Sequence, residues 1–184
     1  MTRIPYPDFT QSPPEVRSII EEMPMYLGVA RMYAHASGIF PAWFALNKAV
    51  LYDSSLDPAV AELGICVATH HASPGYEYAY HRMSAQHQGV STEQLEAIER
   101  ADYASAVFSP SQTAVLRFSA EVVHRVKAGD ETLAEVRRHL TDRQVIELIM
   151  CIGQYLLNSR IAENAGVGLA DDRENAKPGQ WLPE

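Results

Sequence analysis

Cysteine is almost absent from this sequence: among 184 residues only Cys66 and Cys151 carry a thiol, and no C-x-x-C pair occurs. Two distant cysteines exclude a disulfide framework and point to a reducing, cytoplasmic setting. Basic residues are also scarce. Fifteen Lys and Arg face 23 Asp and Glu, a formal net charge of -8, whereas gripping phosphates takes clustered positive charge. The densest basic stretch, Arg137-Arg138-His139, falls on a patterned helix and reads as a solvated face, so no nucleic-acid partner is expected. Long apolar runs are missing as well. The most apolar stretch, 145–157, is interrupted by Glu147 and Gln154 and reads as too short and too polar to span a bilayer. Residues 1–11, with Arg3, Pro5, Pro7 and Asp8, show no apolar centre of a secretory signal, and no membrane partner is expected. Finally, no stretch alternates apolar and polar residues between hairpin turns, which leaves no strand to predict.

What the chain does contain is a succession of helix start and stop signals. Pro13 and Pro14 after Ser12 open a short helix through Met23, and Pro24, Gly38 and Pro41 divide the next stretch into helices over 25–36 and 41–52. Asp57-Pro58 caps a helix running to His71, Ser73-Pro74-Gly75 makes a turn, and the following helix stops at Gly89. Ser91 with Gln94, and Thr141 with Gln144, have the spacing of capping boxes. Ser109-Pro110 opens a helix ending near Gly129, and Asp130 caps another through Leu140. The last long helix carries Val145, Leu148, Ile149, Ile152 and Leu156 on one face and Met150 and Cys151 on the other, which predicts burial on most sides. The length suits one domain over 1–184, with a core over 13–166 and a polar tail over 167–184 anchored by Trp181. The expected fold is all-α, a helical bundle.

Chemistry concentrates between Glu62 and Gly89. Glu62, Cys66 and His70 share a helix face at four-residue spacing, and Glu77 and His81 are stacked one turn apart on the next helix. A hairpin can carry Glu62 towards that pair. A histidine titrates near neutrality, and an adjacent carboxylate orients it and favours its protonated form, so the trio is acid–base equipment. The bland alternative is that Glu77, His81, Ser84 and Gln88 form the wet stripe of a surface helix. His70 and His71 with Glu77 and His81 could be imagined as metal ligands. Adjacent histidines point in different directions, however, and the zinc-type His-Glu-x-x-His order is absent, so no metal is expected. Tyr76, Tyr78 and Tyr80 suit a pocket wall or plain packing, and Cys66 reads as a small core residue. Tyr33, His35 and Tyr155 carry no spacing signal and stay outside the expected site.

The segment from Glu62 to His81 resembles the carboxymuconolactone decarboxylase-like superfamily, which also holds alkyl hydroperoxidase D. Its peroxidase branch reads Glu-x11-Cys-x2-Cys-x3-His. On this chain the glutamate falls on Glu62 and the histidine on His81, while the cysteine positions fall on Pro74 and Glu77. Members without the thiol pair read Tyr-Glu-Trp-x-x-His, similar to Tyr76-Glu77-Tyr78-Ala79-Tyr80-His81. The flanks fit too: Gly89-Val90-Ser91 with Gln94, Phe108-Ser109 into Ala114-Val115-Leu116, and Leu140-Thr141-Asp142-Arg143-Gln144 with Glu147. One departure is Ala61, where the family usually has a basic residue. The likeness covers 13–166 and implies an AhpD-like bundle whose central hairpin carries the site. Without the two cysteines the dithiol peroxidase route is lost. The resemblance then implies a cofactor-free lyase or isomerase for a small carboxylated or lactone-type metabolite. His81 would move the proton, Glu77 would be its partner, and Glu62 a second carboxylate that relays a proton or polarises substrate. It also implies a homo-oligomer, trimer or hexamer, with the site near a subunit boundary. Two other classes stay open: a peroxidase-related oxidoreductase using Cys66 or an external thiol, and a non-catalytic oligomeric binding protein.

Overall fold

The computed structural model describes every residue except Met1, Pro24, Tyr26, Pro178, Trp181 and Glu184, so the expected roles of Pro24 and Trp181 lie outside the described residues. Among the described residues a single 3-10 turn, Phe9–Gln11, precedes ten α-helices: α1 Pro14–Glu22, α2 Gly28–Tyr33, α3 Phe40–Tyr52, α4 Pro58–Ala72, α5 Tyr76–His87, α6 Thr92–Glu99, α7 Pro110–Arg125, α8 Asp130–Val136, α9 Asp142–Ala165 and α10 Leu169–Asn175. Among the described residues there is no strand.

Local chemistry sets the boundaries. Asp57 accepts from the backbone N–H of Ala59 at 2.9 Å and starts α4, with Pro58 in its first turn. Capping boxes close the starts of α6 (Ser91, Gln94) and α9 (Thr141, Gln144), as the spacing predicts, and a third box forms at α7 from Ser109 and Gln112. After α5 the chain turns through Gly89 at φ 90°, a conformation that side chains disfavour. Several helices are shorter than the pattern suggests. The stretch 25–36 keeps only six helical residues, and α7 and α8 stop at Arg125 and Val136, where turns bend the chain back before the apolar pattern ends.

α4 and α9 form the axis of the bundle, and both contact α5 and α7. One apolar cluster joins α4, α6, α7 and α9 around Leu63, Leu95, Leu116, Phe118 and Leu148. A second joins α1 to α3 with one edge of α5 and the end of α9, around Val16, Phe40, Trp43, Tyr76 and Ala162. α4 belongs to the first cluster and α5 passes between the two, with Tyr78 and Ala85 in the first and Tyr76 and Tyr80 in the second. That placement is why polar groups on it end up inside the molecule.

Two expectations need correction. α9 is not buried on most sides: Val145, Leu148, Cys151, Ile152 and Tyr155 face inward, but Ile146 is 58% and Met150 46% exposed, with Ile149 and Leu157 also open. The bundle covers one long face of the helix and leaves the other. α9 also outruns the apolar segment seen in sequence. Among the described residues it is the one helix long and apolar enough to cross a membrane by length and composition, with half of that window buried inside the fold. The stretch after Gly166, expected to be a polar tail, instead forms α10 and packs on the body, with Asp172 fully buried.

Candidate active site

The turn Ser73-Pro74-Gly75 folds α5 back along α4 and brings Glu62, Glu77 and His81 together. Their relative exposures are 6%, 5% and 8%, so the stripe on α5 is not a wet face; it runs inward from exposed Gln88. His81 Nδ1 lies 2.9 Å from Glu62 Oε2. A carboxylate only accepts, so Nδ1 carries the hydrogen and donates to it. Ser84 Oγ donates to the other oxygen, Glu62 Oε1, at 2.7 Å. Both oxygens of Glu62 are thus engaged, and the imidazole is held in one orientation. Glu77, the partner suggested by the four-residue spacing, is the more distant carboxyl: its Oε2 is 3.9 Å from His81 Nε2. The two glutamates have therefore exchanged the positions expected for them. Side chains one turn apart on a helix run parallel, whereas Glu62 faces His81 across the hairpin.

The electrostatics follow from burial. Loss of water around Glu77 pushes its carboxyl up to about 7, an effect that His81 opposes and the Asp172 carboxylate reinforces. Burial alone would lower the imidazole of His81, but the charge and hydrogen bond of Glu62, with the charge of Glu77, outweigh it and raise its pKa. Glu77 Oε1 is buried and has no hydrogen-bond partner among the described residues. An unsatisfied buried oxygen of this kind is costly and rare in folded proteins.

These groups line a cavity of about 400 Å³ between the hairpin, α3 and α9. Several wall residues carry no sequence signal. The ring of Tyr155 meets His81 edge-on at 4.0 Å between centroids. Asn158, one turn further along α9, is also in the wall, as are Trp43, Phe44 and Asn47 of α3. A weak clue existed in that Gln154, Tyr155 and Asn158 fall in or next to the most apolar stretch of α9. The three tyrosines of α5 divide by helical phase. Tyr76 and Tyr80 border the cavity and donate to Asp172 at 2.5 and 2.7 Å, whereas Tyr78 points away and donates to Glu99 at 2.6 Å. His70 packs on Tyr78 and His71 on His124, so neither converges on His81. Among the described residues no three His, Cys, Asp or Glu side chains form a metal-binding group. Both cysteines are buried and free, and burial pushes the thiol of Cys66 well up and that of Cys151 to about 11.

The family model for the carboxymuconolactone decarboxylase family matches residues 38–121, which contain α3, the whole α4–α5 hairpin and α6. Over that stretch the chain is carboxymuconolactone decarboxylase-like. Solved structures agree with that fold. A peroxidase-related protein with an alkylhydroperoxidase AhpD core from Ralstonia eutropha JMP134 is 20% identical, with 90% of each chain covered and a TM-score of 0.75. A peroxidase-related protein from Silicibacter sp. TM1040 is 18% identical, over 88% of this chain and 85% of that one, with a TM-score of 0.70. A debrominase in complex with 2,3,4-tribromopyrrole is 14% identical, over 90% of both chains, with a TM-score of 0.69. At these identities the likeness establishes the fold, the AhpD-like helical bundle. No curated protein matches by sequence. Within the superfamily pattern, Glu77 occupies a position that is a cysteine in the peroxidase branch, and Pro74 occupies the other.

Proposed function

We propose that this protein is a cofactor-free proton-transfer enzyme, a lyase or isomerase, acting on a small unsaturated or lactone-type metabolite. The observation that carries the reading is the clamped imidazole. Glu62 fixes Nδ1–H, which leaves Nε2 as the nitrogen beside the cavity and beside Glu77. In the isomerase branch, neutral Nε2 takes a proton from a carbon next to a carbonyl, the electron pair moves into that carbonyl, and Nε2–H returns the proton to another carbon. In the lyase branch a carboxylate leaves as carbon dioxide, its electron pair enters the unsaturated system, and Nε2–H protonates the carbon. Glu77, poised near neutrality, can hold or accept a proton alongside. The buried, basic-shifted thiols speak against Cys66 as a peroxidatic nucleophile, since the thiolate is the reactive form. The debrominase shows a protein of similar fold in complex with a small halogenated ring.

Self-association belongs to the same reading. The open apolar face of α9, with Ile146, Met150 and Leu157, suits a homo-oligomer of three or six copies, which light scattering of the purified protein measures directly. A cytoplasmic location fits two reduced cysteines.

The decisive experiment incubates the protein with a library of small lactones and unsaturated acids in deuterated water. Product mass, incorporated deuterium and released carbon dioxide are the readouts. His81→Gln keeps a donor for Glu62 and removes the titrating ring. We expect it to lower turnover by about 10²- to 10⁴-fold with little change in unfolding temperature. A variant as active as the parent ends the acid–base assignment.

A further inference from the structure

We propose that the cavity selects an uncharged, flat, ring-sized compound carrying a carbonyl or hydroxyl (a lactone, an enone or a phenol) and turns carboxylates away. This rests on the acid–base reading and favours its isomerase branch.

The first argument is charge. Among the described residues no lysine or arginine lines the cavity, and the ionisable wall groups besides tyrosine are Glu62, Glu77 and His81. Arg82 nearby is committed to Glu99 at 3.1 Å, and the guanidinium of Arg31 lies over the ring of Tyr6 at 3.6 Å. Glu62 offsets an imidazolium at His81, so the wall is neutral at most: it gains one negative charge when Glu77 loses its proton, and one more when His81 is the neutral ring that takes up a substrate proton. A bound carboxylate would add a second buried anion with no fixed cation to meet it, which is costly in a dry site.

The second argument is shape. Trp43 stacks on Tyr33 with ring centroids 3.9 Å apart and planes 16° apart, and with Tyr155 it gives the cavity rigid aromatic walls. At about 400 Å³ the space lies near the lower end of the range for small-molecule pockets, roughly 300–1,000 Å³. It suits one or two fused rings.

The third argument is the placement of donors. Asn158 Oδ1 accepts from Tyr33 Oη at 2.9 Å, Gln154 Nε2 at 3.2 Å and Trp43 Nε1 at 3.3 Å. Three donors on one oxygen fix which way the amide is turned, and Nδ2 remains as its donor to the cavity that Asn158 lines. Glu77 also lines the cavity, and its carboxyl becomes a second donor when protonated. A carbonyl or hydroxyl oxygen answers both, whereas a hydrocarbon would leave them unpaired.

Calorimetric titration with matched probes tests this: coumarin against coumarin-3-carboxylate, and 2-naphthol against 2-naphthoate. We expect the neutral member to bind at least about tenfold more tightly at about pH 8, with a narrower gap at about pH 5.5 where Glu77 is protonated. Equal or tighter binding of the carboxylates, or no saturation by any probe at low millimolar concentration, overturns the proposal. Ala61→Arg places a cation in the wall next to Glu62 and should raise carboxylate affinity by about tenfold while leaving coumarin nearly unaffected. An unchanged carboxylate affinity refutes the charge argument. Asn158→Asp keeps the acceptor that Tyr33, Trp43 and Gln154 need and removes the inward donor. It should weaken coumarin by about tenfold, and undiminished binding refutes the anchor. The two readings fail separately. If probes bind with the expected preference but nothing turns over, the acid–base assignment falls and this one stands. If only carboxylated compounds turn over, the reverse holds.

Discussion

Asp172 and Glu77 are both buried carboxyls meeting α5, and the fold treats them in opposite ways. Asp172 is fully buried and accepts from the hydroxyls of Tyr76 and Tyr80 at 2.5 and 2.7 Å and from the backbone N–H of Gly28 at 2.6 Å. Glu77 is almost as deep, yet one of its oxygens has no partner among the described residues and His81 Nε2 lies 3.9 Å from the other. Burial raises both carboxyls, but the three donors around Asp172 act against the rise while Glu77 has only His81 to oppose it. Depth alone therefore does not mark a reactive group. Asp172 is a clasp that ties the C-terminal helix α10 to α2 and α5, and α2 in turn helps wall the cavity. Glu77 is the group left for a ligand or a proton.

The largest expected effect breaks the clasp. Asp172→Ala orphans two tyrosine hydroxyls and the N–H of Gly28, and should cost on the order of 3–5 kcal/mol in urea unfolding. Gly28 itself cannot be replaced cheaply, because a Cβ there would lie 2.6 Å from Tyr6 Oη and 2.9 Å from Asp172 Oδ1. Asp172→Asn, which keeps one acceptor, should lose clearly less. A cost below about 1 kcal/mol for the alanine variant would erase the distinction between the two carboxyls.

Glu77→Gln should move stability the other way. The folded carboxyl titrates near 7 against an ordinary value of 4.5, so between those values the folded chain holds a proton that the unfolded chain has lost. Its contribution is complete below 4.5 and is lost as pH rises through about 7. The amide removes that loss, on the order of 3 kcal/mol at most. The variant should therefore be more stable than the parent at about pH 8, with a flatter profile across the window, and less active. His81 is shifted upward too and keeps a slope of the same sign, so the profile flattens without becoming level. Unfolding midpoints measured across the window decide it; a variant that parallels the parent shows that Glu77 is not raised.

Glu77 and Asp172 also differ in how far the sequence discloses their placement. Glu77 and His81 were legible because a four-residue spacing on a helix is a local relation, and Glu62 because a tight turn folds its neighbour back on it. Which carboxyl takes the imidazole was not legible, since that depends on the rotation of α4 against α5. Asp172 left no trace: its partners lie 92, 96 and 144 residues away in sequence, and a short acidic stretch near a chain end reads as a tail. Tyr155 and Asn158 were hidden for the same reason. Caps and turns gave most helix starts, but α8 is capped by Gly129 and not by the side chain of Asp130, α2 begins at Gly28 and not at 25, and helix ends and the open side of α9 depend on what packs there.

Cys66 supplies the smallest expected effect and the sharpest control on the comparison. It is as buried as Asp172, has no measurable exposure, and lies one turn beyond Glu62 on α4. If depth near the site were enough to make a group reactive, this thiol would qualify. Burial and the charge of Glu62 instead raise its pKa well above the ordinary value, so the nucleophilic thiolate is scarce at neutral pH. Its surroundings are the apolar cluster of α4, α6, α7 and α9, where a small hydrophobe is what packing asks for. Cys66→Ala should therefore leave turnover of any substrate found within about twofold and cost about 1 kcal/mol of stability from lost packing. Hydroperoxide consumption that disappears with this substitution would show that the thiol, and not the unsatisfied carboxyl beside the imidazole, is where the chemistry resides.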